Sequence, residues 1–542
     1  MTLMTGAEAL INSLRQYGVD TLFGLPGAQT YHLFDAAYNA GDSVRLFNSR
    51  HEQGVAYMAY GYARATGKVG VYSVVPGPGV LNTAAALATA YAGNERVLCL
   101  AGQIPSAWIG KGVGHLHEIP DQLGILQRLT KWSARAATPA AAPRLVEQAF
   151  REMHCGRPRP VALEMAPDIM GKQEQVALLP PCPPPAPTPA DPDLIEAAAR
   201  LLGKAKNPLI VIGHGCVAAG AELLQVAELL QAPSTTLWNG KGIIDDRHYL
   251  SLPYSAGHQL WGTADVALAV GTRLDNPQLQ WGLDADLKIV RIDIDPAQIA
   301  NIATPEVGIV ADAKAALTDL AAALPRHNIA RQSRAQELTG LKAATFAQYQ
   351  RQVGPQLRIL KVIREELPED GFLVDEVTQV GYVSWYAFPV YRPRHFISSG
   401  YQGNLGYGYT TALGVQVAHP DKKVVALGGD GGFMYQATEL ATAVKYRLNL
   451  VNIVFNNNAY GNVQRDQQEK FGGNVIGSDL TNPDFVRFAE SFGVPGFRAE
   501  TPAQLRQALT AAFKEPGPAL IEMPGADMPS PWPHILLPRV RG

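Results

Sequence analysis

Cysteine is scarce in this chain. Only Cys99, Cys155, Cys182 and Cys216 occur among 542 residues, with no CxxC pair and no close cluster. That spacing supports neither a disulfide framework nor a structural zinc site. Excess charge of either sign is also missing: the formal net charge is −2, so nothing electrostatic points to nucleic acid or an anionic membrane as partner. Uninterrupted apolar spans of membrane length are absent. The first residues, MTLMTGAEALINSLRQYGVD, lack the basic segment and apolar stretch of a signal peptide. These absences lead to the expectation of a soluble, cytoplasmic protein that handles a small molecule, with no nucleic acid and no membrane.

What is present reads as an ordinary globular chain, 47% hydrophobic and 17% charged. At roughly 150 residues per domain the length suggests three or four domains. Short apolar runs ending in glycine or proline, such as VGVYSVVPGPG and RVLCLAGQIP, alternate with helix-like segments such as VLNTAAALATAYAGN. This is the βαβ rhythm of a parallel sheet. The stretch LLPPCPPPAPTPADP has eight prolines between Pro180 and Pro192, which bar a helix or a central strand. The expected organisation is α/β, with three doubly wound parallel-sheet domains. Their expected bounds are 1–178, a linker 179–192, 193–325, a helical connector 326–366, and 367–542.

Three motifs stand out. Gly213, Gly215 and Ala218 fit G-x-G-x-x-G/A between a strand and a helix, a dinucleotide fingerprint or an ordinary tight turn. The cluster GGDGG, Gly428–Gly432, could form a nest of backbone N–H groups for phosphate. Asp430 inside it would repel phosphate unless a cation such as magnesium lay between them. Asn457 ends the next apolar run 27 residues later and could supply a second, neutral oxygen. The bland reading is a turn plus an asparagine-rich strand end. Ser49 and Glu52 match Ser-x-x-Glu, which predicts a capping box at the start of a helix.

These residues together resemble the thiamine diphosphate enzymes, and most closely acetohydroxyacid (acetolactate) synthase and related 2-keto acid decarboxylases. Gly429–Gly431 with Asn457 is similar to the diphosphate motif, and RHEQG at Arg50–Gly54 to the cofactor-activating segment. GLPGAQTYHLFDA, PGPGVLN and AGQIPS fall in the family's order. The resemblance implies a pyrimidine-binding, a central and a diphosphate-binding domain. Asp430, the Asn457 side-chain oxygen and the Ala459 carbonyl would hold Mg2+, with Asn458 an extra residue beside the motif's Asn456 and Asn457. Gly429, Gly431, Gly432, Thr378 and Gln379 would lie near the diphosphate, with Pro78 and Asn82 as further cofactor positions. Leu405 would prop the bent cofactor, and Gly403 would accept from its aminopyrimidine. Glu52 would bond the pyrimidine and switch on the thiazolium for decarboxylation or carboligation through an enamine. Because the glutamate and the diphosphate site come from different subunits in this family, a homodimer or homotetramer is implied.

Departures from the synthases bear on the substrate. Asp466 stands where they carry tryptophan, and Pro277 where they carry an acceptor-binding arginine. In GHLHE, His117 replaces their glutamine, with His115 two residues away. Either histidine could relay a proton or simply be a bonded loop residue. Gln103, His32 and the C-terminal PWPHILLPRVRG are further candidates to line the pocket. SAGHQLWG does not reproduce the family's GMHG stretch, which speaks against FAD. The reading is an enzyme acting on a 2-keto acid or related carbonyl compound. A drifted acetolactate synthase, a non-catalytic cofactor-binding homologue and, third, a nicotinamide-dependent dehydrogenase stay open as rivals.

Overall fold

In the computed structural model, which describes residues 1–525 and 528–542, the chain is α/β with parallel sheets flanked by helices. It divides into two compact units, one of residues 1–185, 399–498 and 511–523, the other of 186–398, 499–510 and 524–542.

The first unit holds a six-stranded parallel sheet in the order Arg45–Phe47, Thr21–Gly24, Gly70–Val74, Val97–Gly102, Val161–Met165, Trp132–Ala136. Every residue of Gly70–Val74, Val97–Gly102 and Val161–Met165 is buried. Helices cover both faces of these strands, so they read as continuous apolar runs and not as alternation. Leu10, Leu14, Leu98, Leu100, Val146 and Leu163 form the core beneath them. The same unit holds the parallel strands Val424–Gly429, Leu450–Asn456, Ala519–Pro524 (all but its last residue) and Gly496–Arg498, adjacent in that order. Two helices, Glu52–Thr66 and Gly408–Ala418, cross in close contact. A Cβ on Gly61 would sit 2.1 Å from the Thr411 carbonyl oxygen, and one on Gly414 2.0 Å from that of Met58. Only glycine permits this approach, which sets the helix carrying Glu52.

The second unit contains another six-stranded parallel sheet, in the order Ser251–Leu252, Ser234–Thr235, Pro208–Ile212, Val266–Val270, Lys288–Asp293, Val307–Val310. Ile210, Leu223, Val226, Leu268, Val290 and Leu317 are buried at its core. The parallel pair Phe372–Val374 and Phe396–Ile397 also belongs to this unit. A long helix, Ala335–Glu366, kinks at Val353 (φ −132°), two residues before Pro355, whose ring and missing N–H break the helical ladder. Between Val176 and Pro192 the proline-rich stretch has neither helix nor strand.

Candidate active site

The strands Val424–Gly429 and Leu450–Asn456 run parallel, with Gly429 opposite Phe455. Asp430 and Asn456 therefore emerge together at the carboxyl edge of the sheet, where open α/β folds bind ligands. Asp430 is 2% exposed. Its Oδ1 accepts from the Gly431 amide at 2.9 Å, and its Oδ2 from Asn482 Nδ2 at 2.8 Å. Burial pushes the carboxyl above the usual aspartate range, against the pull of these donors and of the Asn458 and Ala459 amides. Among the described residues no lysine or arginine pairs with it. A buried carboxylate supported only by neutral donors is a place for a cation.

The asparagine run divides its work. Asn456 donates from Nδ2 to Glu522 Oε1 at 2.8 Å and is held in the fold. Asn458, at φ 54°, takes a left-handed conformation that asparagine tolerates. Its carbonyl accepts from the Leu480 amide at 2.8 Å, and Tyr460 N donates to the Ser478 carbonyl at 2.8 Å. Asn457 between them is exposed, and Ala459 is buried in a bridge to Asp479. Asn482 ties the group together: besides Asp430 it donates to Asn456 Oδ1 at 3.0 Å and Asn458 Oδ1 at 3.2 Å. The sequence reading missed it, because an asparagine in the loop segment TNPD has no distinctive spacing.

Glu52 is the first residue of helix Glu52–Thr66, and the expected capping box is not formed. Ser49 turns its hydroxyl to the His51 carbonyl at 2.6 Å, while His51 caps the helix by accepting from Gln53 N on Nδ1 at 3.1 Å. Glu52 is thus spared for other work. Half-buried, it accepts on Oε2 from Asn82 Nδ2 at 3.0 Å. Asn82 ends the short helix Pro78–Asn82, so the PGPG turn and Glu52 meet.

That turn is anchored below. Gly77 N donates to Gln122 Oε1 at 2.9 Å, and Gln122 Nε2 donates to the Gly102 carbonyl at 3.0 Å and Glu164 Oε2 at 2.9 Å. Gln103 belongs to this buried network: Nε2 donates to Glu164 Oε2 at 3.2 Å and Oε1 accepts from Ile104 N at 2.8 Å. His117, half-buried at φ 67°, sets its carbonyl against Gly77 and its ring Nδ1 3.1 Å from Gln29 Oε1. His115 lies with its ring 5.5 Å from Trp108. The amides of Gly112, Gly114 and His115 converge on the Glu118 carboxylate at 2.7–3.1 Å. These bonds, that of His115 foremost, hold its carboxyl below the usual range.

Gly403 takes φ 52° and Leu405 is half-buried. Asn404 between them donates to the Tyr57 hydroxyl and accepts from Thr89 Oγ1 at 3.2 Å, which fixes this loop on the Glu52 helix. His32 lies on the outer helix Tyr31–Asn39, against Gly171. Asp466, on helix Gly461–Lys470, pairs with Lys470 at 2.9 Å.

The remaining candidates lie in the second unit. Thr378 is buried and caps helix Gln379–Ala387, accepting from Gly381 N at 2.8 Å. Pro277 is buried in the turn Pro277–Trp281. Gly213 and Gly215 press on the backbone of 271–272: Cβ atoms there would lie 2.1 Å from the Gly271 carbonyl oxygen and 2.7 Å from its Cα. Close backbone packing accounts for the glycine pattern. His258 of SAGHQLWG donates from Nε2 to the Pro538 carbonyl at 2.8 Å, and Arg541 bonds the Trp261 carbonyl at 2.5 Å and Asp284 at 2.7 Å. The end of PWPHILLPRVRG is thereby docked beside the central sheet.

Comparison with known proteins shows the family. Residues 4–125 match the N-terminal TPP binding domain of thiamine pyrophosphate enzymes, 195–320 the central domain and 376–523 the C-terminal TPP binding domain. A probable 2-ketoarginine decarboxylase of Pseudomonas aeruginosa is 34% identical, over 96% of this chain and 94% of that protein. A probable acetolactate synthase large subunit of Methanocaldococcus jannaschii is also 34% identical, over 96% and 92%. An acetolactate synthase of Arthrospira platensis is 32% identical, over 96% and 94%. The chain belongs to the thiamine pyrophosphate-dependent enzymes of the acetolactate synthase and 2-keto acid decarboxylase family. Its chemistry is thiamine pyrophosphate-dependent decarboxylation or carboligation next to a carbonyl. Among the described residues, no helix is long and apolar enough to cross a membrane.

Proposed function

We propose that this enzyme decarboxylates a 2-keto acid, releasing CO2 and leaving an acyl-anion equivalent that is protonated and freed as an aldehyde or added to a carbonyl acceptor, with Mg2+ as the second cofactor. The observation that carries the metal assignment is Asp430, a buried carboxylate without a cationic partner, beside Asn456–Ala459 at one strand edge. One carboxylate with neutral amide and carbonyl oxygens suits a hard cation that keeps its remaining positions for phosphate. Asp430, Asn457 and the Ala459 carbonyl would hold the metal, and Gly429, Gly431 and Gly432 would bring backbone close to the diphosphate.

Bound thiamine diphosphate supplies a carbon nucleophile and an electron sink at the substrate carbonyl. Glu52 would hydrogen-bond the pyrimidine ring of the bound cofactor and exchange a proton with it at its carboxyl oxygen. Asn82 fixes the rotamer from which it does so. His115 and His117 sit on a loop pinned by Glu118, with the His117 carbonyl against Gly77, and would exchange protons with the reacting fragment. Gln103 orients this turn through Glu164 and Gln122. Leu405 and Gly403 would hold the bound cofactor in its bent form, and Thr378 and Gln379 would be further cofactor positions.

The assembly we infer is at least a homodimer, each site drawing Glu52 from one subunit and Asp430 from the other. Phe471 and Ile476, 65% and 80% exposed in the first unit, support an uncovered contact surface. A cytoplasmic enzyme fits its charge balance and cysteine usage. Asp466 and Pro277 supply neither the tryptophan nor the arginine of the synthases, which favours a substrate outside branched-chain synthesis. The test is product analysis with thiamine diphosphate and Mg2+ across straight-chain and branched 2-keto acids and 2-ketoarginine. Aldehyde or carboligation product from at least one supports the reading. Acetolactate from pyruvate as the dominant product would return the enzyme to the synthases, and no turnover of any member would remove the proposal.

A further inference from the structure

The loop that delivers Glu52 is gripped by a segment with no assigned role. Residues 436–446 follow the diphosphate loop in sequence and fold, within the same unit, against residues 47–54. Glu439 is fully buried. Its Oε1 accepts from the amides of Arg50 at 2.9 Å and His51 at 3.1 Å. Its Oε2 accepts from Arg50 N at 3.1 Å and from Thr442 Oγ1 at 2.5 Å. Three residues earlier, Gln436 Nε2 donates to Gln53 Oε1 at 2.9 Å. At the other end of the loop, the Tyr446 hydroxyl accepts from Asn48 N at 2.8 Å and donates to Asn48 Oδ1 at 2.7 Å.

A buried carboxylate is a costly way to hold a loop. Burial pushes Glu439 up, while Thr442 and the two backbone amides pull it back toward the charged form. A neutral acceptor would hold less: the two oxygens take four short contacts, and an amide offers only one oxygen. The restrained residues are the two immediately before Glu52. Their backbone sets both the His51 cap and the direction in which the helix starts.

We propose that Glu439 is a positioning residue for Glu52. By clamping the Arg50 and His51 amides it fixes where the Glu52 carboxyl stands, with Asn82 holding the other side. The inference rests on the reading of Glu52 as the group that activates the cofactor.

The experiment uses the full-length protein loaded with thiamine diphosphate and Mg2+. It measures hydrogen–deuterium exchange at the cofactor C2 by quenched-flow NMR, with cofactor affinity by calorimetry and melting as controls. For Glu439→Ala, C2 exchange falls by about 10- to 100-fold at saturating cofactor, as expected when a reacting group is misplaced. Cofactor affinity stays within about threefold, because the clamp does not touch the diphosphate loop. Glu439→Gln keeps one acceptor oxygen and loses about three- to tenfold. Wild-type exchange in either folded, loaded variant overturns the proposal. Weakened cofactor binding with unchanged exchange at saturation also overturns it, since the role is then only structural. If Glu439→Ala does not fold, Glu439→Gln decides alone. Glu52→Gln is the separate control: wild-type exchange there removes the reading of Glu52 itself, whatever Glu439 does.

Discussion

Asn82 Nδ2 donates to Glu52 Oε2 across 3.0 Å, joining residues 30 positions apart. The bond ties the helix Pro78–Asn82 to the carboxyl group we propose as the activating one. Asn82→Ala frees one carboxyl oxygen and releases its rotamer. Turnover with the best 2-keto acid falls by about 10- to 100-fold, the worth of a hydrogen bond to a charged group. Cofactor affinity moves far less, as steady-state kinetics and calorimetry on one preparation show.

Asn482 bridges Asp430, Asn456 and Asn458 and so supports the proposed ligand Asp430 and the residues that flank Asn457. Asn482→Ala weakens Mg2+ binding by about 10- to 100-fold, the usual cost of removing a ligand's outer partner. Titrating activity against Mg2+ at fixed cofactor shows a raised half-saturation with maximal turnover largely restored at high metal.

Glu118 gathers three loop amides near His115 and His117. Its folded value is depressed, so the stabilisation is complete above the ordinary glutamate range and is lost as pH falls through the lower folded value. Hydrogen exchange at Gly112, Gly114 and His115, corrected for intrinsic rates, shows protection at pH 6. That protection disappears well below about pH 4. Glu118→Gln lacks the transition.

Arg64 and Glu95 form an ion pair with side chains only 1% and 5% exposed. Glu95→Ala leaves the guanidinium charge buried without its carboxylate. It costs about 3–5 kcal/mol, read as a shift in denaturant midpoint at unchanged slope. An exposed pair such as Lys288–Glu306, removed in the same way, costs less than about 1 kcal/mol.

Much of this architecture was legible in the sequence because it follows from burial. Runs such as Val97–Gly102 had to be strands covered on both faces, and two runs ending in Asp430 and the asparagines had to bring them to one edge if parallel. The close backbone packing of Gly213 and Gly215 against residues 271–272 was not legible, because the same glycines fit a fingerprint or a tight turn. What failed to show was the choice among hydrogen-bond partners. Ser49 offered the textual signature of a cap, yet its hydroxyl found the His51 carbonyl and the imidazole took the cap. Asn482 and Glu439 reach their partners through tertiary contact across 52 and 389 positions, and local spacing does not encode such pairs. Arg541 likewise reaches the Trp261 carbonyl across 280 positions, a tertiary contact that local spacing does not announce.

The central claim is that Glu52 starts the chemistry while the Asp430 edge holds the cofactor. It is tested most directly by Glu52→Gln, assayed for turnover of the best 2-keto acid and for binding of thiamine diphosphate with Mg2+. We expect turnover to fall by about 100-fold or more, with the cofactor still bound at near wild-type affinity. Turnover close to wild type in the loaded variant would contradict the account.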